Sequence, residues 1–193
     1  MTQTRFELSN ARKLGERYVK DSILPGDTVI DATMGNGGDT ERLCRLVGDT
    51  GKVYAFDIQE DALASTARRL EAAGLLKRTS LILDGHEHME SYVKDSVQAV
   101  VFNLGWLPGG NHAVTTKAET TLEALQAALR LIRPGGLVSV CIYPGHEEGK
   151  TERDRIIEWA GTLSVQRYNV LLHRFLNAGE STPVLVLIQK NRV

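Results

Sequence analysis

The 193-residue chain has only two cysteines, too few for a fold held together by several disulfides. Cys44 falls in a predicted helix and Cys141 in a predicted strand, and the chain has no Cys-x-x-Cys pair. Single cysteines in apolar segments are typical of buried small side chains. We therefore expect neither thiol to be catalytic or to bind a metal.

The chain also lacks an apolar run long enough to cross a bilayer, and residues 1–10 lack the apolar core of a secretory signal. These absences predict a cytoplasmic protein with no membrane partner. The formal net charge is −1, so the composition does not indicate a polyanionic partner. Basic residues cluster only locally, at Arg12, Lys13, Arg17 and Lys20 and at Arg68, Arg69, Lys77 and Arg78. Such clusters are usually solvated helix faces, so a nucleic-acid substrate is permitted but not indicated.

Short apolar runs rich in β-branched residues alternate with segments of helical period. The predicted strands are 28–32, 53–57, 80–83, 97–103, 137–143, 165–171 and 184–189. The predicted helices are 10–23, 40–47, 60–73, 116–132 and 152–161. This alternation predicts a doubly wound α/β fold with a mostly parallel sheet. We expect one domain over residues 1–193, with an N-terminal helix in residues 1–24 packed on it.

The last two predicted strands have no clear helix between them. They are therefore predicted to form an antiparallel hairpin joined by a loop over residues 172–183. A seven-stranded, Rossmann-like sheet that ends in such a hairpin is the arrangement expected of class I methyltransferases.

A glycine-rich turn follows the first predicted strand, in the segment Asp-Ala-Thr-Met-Gly-Asn-Gly-Gly-Asp-Thr (31–40). Glycine lets the backbone bend sharply and approach a ligand closely. Asp57 ends the second strand 20 residues after Gly37, where an acidic side chain can accept hydrogen bonds from ribose hydroxyls. The turn, the acid and the βαβ context together favour a nucleoside cofactor over a purely structural turn.

Two features distinguish between nucleoside cofactors. Thr40 occupies the last position of the G-x-G-x-x-G pattern, where a nicotinamide fingerprint requires glycine or alanine. Asp39 at the start of the next helix would repel a pyrophosphate. S-adenosylmethionine carries a sulfonium and an ammonium but no phosphate, so the charges favour this methyl donor.

The third strand leads into Asp84, Gly85 and His86, which are predicted to line the adenine pocket. His86 and His88 could also be two solvent-facing histidines at the start of a helix. A His-x-His metal site is discounted because no third ligand has suitable spacing. We favour His86 as a cofactor-lining residue and give His88 no role.

The fourth strand ends in Asn-Leu-Gly-Trp-Leu-Pro-Gly-Gly (103–110). Asn103 could accept a hydrogen bond from an attacking amine, and Trp106 could stack on a planar acceptor. Methyl transfer requires the reacting atoms to be aligned about 3–3.5 Å apart, which a rigid Pro/Gly loop assists. A purely structural turn with a buried Trp is the alternative.

The loop after the fifth strand reads Tyr-Pro-Gly-His-Glu-Glu-Gly (143–149). His146 is a candidate proton acceptor because its unperturbed pKa lies near neutrality, although a surface histidine fits the spacing equally well. His112 is a weaker candidate of the same kind. His173, in the predicted loop 172–183, is placed to close over a substrate.

These segments, with Asp-Ile-Gln (57–59) and Gly-His (85–86), resemble the bacterial family long labelled rRNA methylases. Its members are understood as methyltransferases that convert the 5-aminomethyl group of wobble 2-thiouridine in tRNA into methylaminomethyl. The resemblance covers essentially the whole chain. It implies a tRNA anticodon loop as the substrate and a homodimer as the assembly.

The resemblance also implies cofactor contacts at Asn36, Asp39, Asp57, Gln59 and His86, and an acceptor site around residues 103–110. The full predicted cofactor site is Asp31, Gly35, Asn36, Gly37, Gly38, Asp39, Thr40, Asp57, Ile58, Gln59, Asp84, Gly85, His86 and Asn103. The predicted substrate residues are Leu104, Gly105, Trp106, Pro108, Gly109, Gly110, Tyr143 and His173. The predicted catalytic residues are Asn103, Trp106 and His146.

Three other functions stay open at this point. One is methylation of ribosomal RNA or a small amine. A second is a non-catalytic cofactor-binding or RNA-binding module. A nicotinamide oxidoreductase is disfavoured by Thr40 and by the lack of an obvious set of hydride-transfer residues.

Overall fold

The computed structural model describes residues 8–107, 109 and 115–192, and within these ranges seven strands form one sheet. The strands are β1 (Thr28–Asp31), β2 (Lys52–Asp57), β3 (Thr79–Leu83), β4 (Val97–Asn103), β5 (Ile132–Ile142), β6 (Tyr168–His173) and β7 (Val184–Lys190). Their order is β3-β2-β1-β4-β5-β7-β6. The first five strands pair in parallel, and β7 runs antiparallel to both β5 and β6. The predicted fold class is confirmed.

The described helices are α1 (Ala11–Ser22), α2 (Gly38–Val47), α3 (Glu60–Ala72), α4 (Met89–Tyr92), α5 (Ala118–Leu131) and α6 (Glu147–Gly161). They cover both faces of the sheet. Side chains alternate between the two faces along each strand, so apolar strand residues on each face need helices to bury them. Val100 and Phe102 of β4 pack in a core with α4, α5 and α6. Ala99 and Val101 pack in a second core with α1, α2 and α3. The central strand is therefore buried on both sides.

The two thiols are buried and unbridged, as expected from their apolar segments. Among the described residues, no group of three or more His, Cys, Asp or Glu side chains could hold a metal. A bilayer-spanning helix is also not found in the ranges that the structure describes.

Three elements begin three or more residues away from their predicted starts. Strand β5 begins at Ile132, five residues earlier than predicted. Strand β6 begins at Tyr168 and not at residue 165, because the Ser164 carbonyl accepts hydrogen bonds from the amides of Arg167 and Tyr168 and closes a turn there. Helix α6 begins at Glu147, five residues earlier than predicted, because His146 caps it. The prediction that His173 lies in a loop is wrong, since it ends β6.

The sheet register determines where the functional side chains lie. Asp31 at the end of β1 pairs with Ala55 of β2 and Val101 of β4. Both neighbouring strands therefore continue two residues further, to Asp57 and Asn103. The glycine-rich turn lies in the recess between these two ends, at the edge where open α/β sheets bind ligands.

Candidate active site

A cavity of about 740 Å³ opens at this carboxyl edge of the sheet. The predicted cofactor residues that line it are Gly35, Asn36, Gly38, Asp39, Asp57, Ile58, Gln59, Asp84, Gly85, His86 and Asn103. The predicted catalytic and substrate residues that line it are Asn103, Leu104, Gly105, Trp106, Tyr143 and His146. One cavity thus unites residues from both predicted sites.

Several predicted site residues do not line the cavity. They are Asp31, Gly37, Thr40, Gly109 and His173. His173 Nε2 lies 3.2 Å from the Tyr18 hydroxyl of α1, which ties it to the helix and not to the cavity. Pro108, Gly110 and His112 lie outside the described residues.

The glycine turn is shaped by two residues with positive φ, Gly35 at 50° and Gly37 at 76°. A Cβ on Gly37 would lie 2.8 Å from Thr66 Oγ1 and 3.0 Å from Thr66 Cα, so α3 leaves no room for a side chain there. The Thr66 hydroxyl also donates to the Gly35 carbonyl at 2.9 Å. The packing of the turn against α3 therefore requires glycine at position 37.

Asp57 holds the turn from the other side. Its carboxylate accepts hydrogen bonds from the amides of Gly35 and Gln59, each at 3.0 Å. Burial raises its pKa above the ordinary value, while these two amides act in the opposite direction. The carboxylate is thus oriented at the cavity wall, with further lone pairs for hydroxyl donors of a ligand.

His86 is buried against the end of β1. Its Nδ1 lies 3.1 Å from the Ala32 carbonyl, which can only accept, so Nδ1 carries the proton and Nε2 keeps its lone pair. Burial lowers the pKa of the imidazole, which keeps it neutral near pH 7. A neutral His86 offers a hydrogen-bond acceptor suited to an exocyclic amine.

Asp84 has local partners of its own. It accepts hydrogen bonds from His88 Nδ1 at 2.9 Å and from the Tyr92 hydroxyl at 2.8 Å. The bond from His88 lowers the pKa of Asp84. Asp84 therefore reaches the cavity as an anchored carboxylate, and His88 serves as its partner.

Asp31 is fully buried directly behind the site. It accepts hydrogen bonds from the Thr40 hydroxyl at 2.7 Å and from the Thr33 amide at 3.2 Å. Burial, with the nearby charge of Asp39, raises the pKa of Asp31 to about 7. Its role is to join the first turn of α2 to the end of β1.

Asp31→Asn is expected to remove a pH dependence of stability. The pKa of Asp31 is higher in the folded chain, so the folded state binds more protons than the unfolded state between about pH 4 and pH 7. The free energy of unfolding therefore falls as pH rises through this window, by an amount on the order of 4 kcal/mol. Urea unfolding at pH 5 and pH 8 tests this, and equal pH slopes in wild type and variant would contradict it.

Asn103 is held by Asp39 at the mouth of the glycine turn. Its Nδ2 donates to Asp39 Oδ2 at 2.7 Å, and its backbone amide donates to Thr33 Oγ1 at 2.8 Å. Because a carboxylate only accepts, the amide nitrogen of Asn103 must face Asp39. The carbonyl oxygen Oδ1 is then the atom with which Asn103 can accept a hydrogen bond from a ligand.

Arg12 of α1 reaches the same carboxylate. Its Nη2 lies 3.4 Å from Asp39 Oδ1, and the Arg42 guanidinium also contacts Asp39. Sequence reasoning assigned Arg12 only to a basic cluster, but the structure places it in the cavity lining. No local signal could reveal this, because the contact joins residues 27 positions apart.

Trp106 and His146 lie together at the end of the cavity that is predicted to bind the methyl acceptor. Their ring centroids are 4.5 Å apart, with 34° between the ring planes. The Gly149 amide donates to His146 Nδ1 at 3.0 Å, and Glu148 Oε2 lies 3.3 Å from the same nitrogen. The lone pair on Nδ1 is thus directed at α6, which does not favour the predicted proton transfer to His146.

A buried carboxylate supports the loop after β4. Glu152 of α6 accepts hydrogen bonds from the hydroxyls of Thr116, at 2.8 Å, and Thr121, at 2.6 Å. The Thr116 hydroxyl in turn accepts from the Gly105 amide at 2.9 Å. Glu152 was not identified from the sequence. Its spacing of four residues from Ile156, and eight from Ala160, places it on the buried face of the helix and could have indicated a buried carboxylate.

The sheet order, the glycine turn and the carboxylate at the end of β2 define a class I methyltransferase. The family model described as "Putative rRNA methylase" matches residues 53–189. The chain belongs to this family, which confirms the resemblance seen in its motifs.

Three relatives illustrate the similarity. The chain is 41% identical over 195 residues to the "tRNA (mnm(5)s(2)U34)-methyltransferase, chloroplastic" of Arabidopsis thaliana, covering 96% of this chain and 71% of that protein. A "putative rRNA-methylase" structure from Clostridium thermocellum superposes with a TM-score of 0.94 at 40% identity, covering 96% of this chain and 100% of that one. A "putative methyltransferase" from Streptococcus mutans, solved in complex with SAH, gives 0.87 at 36% identity, covering 95% and 99%.

Proposed function

We propose that this chain uses S-adenosylmethionine to methylate the amino nitrogen of 5-aminomethyl-2-thiouridine at the wobble position of tRNA. The observation that carries the reaction type is Asn103, whose amide is oriented by Asp39 in the cavity that Trp106 also lines. The substrate is supported by the name of the Arabidopsis relative, which is similar over 96% of this chain.

The cavity residues fit S-adenosylmethionine. Asp57 would accept hydrogen bonds from the ribose hydroxyls, and the neutral His86 would accept one from the adenine amine. Ile58, whose side chain is exposed, would cover one face of the adenine. Asp39 and Glu41 in the first turn of α2 disfavour a phosphate there and tolerate a sulfonium and an ammonium. When bound, the cofactor supplies an electrophilic methyl group.

The chain's own residues align the acceptor. Asn103 Oδ1 accepts a hydrogen bond from the amine, so that the nitrogen lone pair is directed into the cavity. Trp106 stacks on the pyrimidine and limits its rotation. The amine must be neutral to attack, and solvent takes its proton because the lone pair of His146 is directed at Gly149. Positioning therefore supplies most of the rate enhancement.

A wobble nucleotide suits this cavity because it is unpaired in the anticodon loop. Single-stranded bases can be presented to a protein with little unstacking cost. Arg12, Arg69 and Lys117 in the cavity lining would lie near the phosphates of the loop. The homodimer, the single-domain organisation and the cytoplasmic location stay predictions.

Deletion of the gene is expected to abolish 5-methylaminomethyl-2-thiouridine and to accumulate the 5-aminomethyl precursor. Mass spectrometry of tRNA nucleosides from the deletion strain measures both. Complementation with the wild-type chain should restore the methylated nucleoside, whereas an Asn103→Ala chain should not. Normal levels of the methylated nucleoside in the deletion strain would refute the wobble assignment. If ribosomal RNA from that strain lacked a methyl group instead, ribosomal RNA would be the favoured substrate.

A further inference from the structure

Two buried polar atoms at the acceptor end of the cavity have no hydrogen-bond partner among the residues that the structure describes. They are His146 Nε2 and Thr115 Oγ1. Both residues line the cavity and both adjoin Trp106, His146 through its ring and Thr115 through a backbone bridge. Leaving a buried donor or acceptor unpaired is unfavourable, so such groups need an explanation. Both atoms belong to residues that line the cavity beside Trp106, which indicates a ligand that completes them.

The tautomer of His146 follows from its role at α6. Nδ1 accepts the Gly149 amide, one of the amides at the helix start that would otherwise lack an acceptor. A neutral imidazole with its lone pair on Nδ1 carries its proton on Nε2. A hydrogen bond from Nδ1 to Glu148 Oε2 would require a proton on Nδ1, which would remove the acceptor of the Gly149 amide. His146 therefore presents an N–H, and not a lone pair, to any group that reaches Nε2.

We propose that His146 orients the substrate base by donating a hydrogen bond from Nε2, and that it does not accept the proton of the amine. This inference rests on the proposed function and deepens it, because it names the substrate feature read at this end of the cavity. That feature is a hydrogen-bond acceptor on the edge of a base stacked on Trp106, such as a ring carbonyl or thiocarbonyl. Nε2 is a buried donor without an acceptor, and a hydrogen bond to a substrate acceptor would remove the cost of leaving it unpaired.

Two substitutions separate the two nitrogens of the ring. His146→Asn places an amide oxygen near the position of Nδ1, where it can accept the Gly149 amide, since Asn is a favourable N-cap. The variant has no donor at the position of Nε2. His146→Gln keeps an amide donor at the level of Nε2 but loses the short cap. Neither variant titrates near neutrality. The purified chains are compared on undermodified tRNA and S-adenosylmethionine, with kcat, KM and their pH dependence measured from pH 6 to pH 9.

The Asn variant is expected to raise KM for the tRNA about tenfold while its melting temperature stays near that of the wild type. The Gln variant is expected to keep kcat/KM within about threefold while its melting temperature falls by about 2–4 °C. Both variants should retain the wild-type pH profile, because the ring is not the proton acceptor.

Each other outcome overturns a specific claim. A wild-type KM in the Asn variant would leave His146 as a helix cap only. An equal loss of kcat in both variants, together with loss of the acidic limb of the pH profile, would make His146 the base. If the wild-type chain binds S-adenosylmethionine but does not methylate the tRNA, the proposed function fails and the inference fails with it. If the wild type methylates the tRNA but the Asn and Gln variants do not show the expected effects, the proposed function stands and the inference about His146 fails.

Discussion

Replacing Asn103 with alanine is expected to lower kcat for methyl transfer about 100-fold while the affinity for S-adenosylmethionine changes much less. The side chain is held by Asp39 at 2.7 Å and offers its carbonyl oxygen to the acceptor amine. Its loss removes the group that aims the nitrogen lone pair, and misalignment of this kind costs on the order of 10²-fold. Single-turnover assays with labelled methyl donor, which isolate the chemical step, measure the effect.

Asn169→Ala is the matched control for this prediction. Asn169 is also an asparagine bonded through its amide nitrogen, here to Asn191 Oδ1 at 2.9 Å, but it lies exposed on β6 away from the cavity. Its kcat should equal that of the wild type. A kcat within twofold of wild type in Asn103→Ala would show that Asn103 is structural.

Asp57→Ala is expected to weaken S-adenosylmethionine binding about 100-fold. The carboxylate holds the Gly35 and Gln59 amides and is placed to accept ribose hydroxyls. Hydrogen bonds to a charged group contribute roughly 1.5–3 kcal/mol each, so loss of two such bonds corresponds to at least 100-fold in the dissociation constant. Isothermal titration calorimetry measures this directly.

Two further variants refine the test at Asp57. Asp57→Asn keeps one acceptor oxygen and should bind the cofactor with an intermediate affinity. Asp61→Ala changes an exposed carboxylate in the first turn of α3 and should bind like the wild type. Circular dichroism confirms that each variant is folded. Wild-type affinity in folded Asp57→Ala would place the ribose elsewhere.

Asp31 and Asp57 show how far strand-end patterns predict a site. Both are acids at the end of a predicted strand beside the glycine turn, and both were assigned to the cofactor. Asp57 lines the cavity, whereas Asp31 is fully buried behind it, because β1 ends two residues short of its neighbours. Strand periodicity predicts which residues end a strand but not the relative heights of adjacent strands.

The histidines show a second limit. His86 and His146 were assigned from the loops in which they occur, and both line the cavity. Their tautomers are opposite, because His86 Nδ1 faces the Ala32 carbonyl and His146 Nδ1 faces the Gly149 amide. The partner of His86 lies 54 positions away in the sequence. The partner of His146 is an amide in the first turn of α6, and this helix begins five residues before its predicted start. Acid–base roles depend on such partners.

The sequence by itself predicted the fold class, the order along the chain of the seven strands and the five longer helices, and the loops whose residues line the cavity. These follow from local periodicity, from glycine positions and from the acids and amides at strand ends, all of which are encoded within a few residues. Only the tertiary structure decided that Arg12, Asp39 and Asn103 form one group, that Glu152 supports the acceptor loop, and that the lone pair of His146 caps α6. The physical reason is that hydrogen-bond direction and burial depend on packing between distant segments, which no local pattern records.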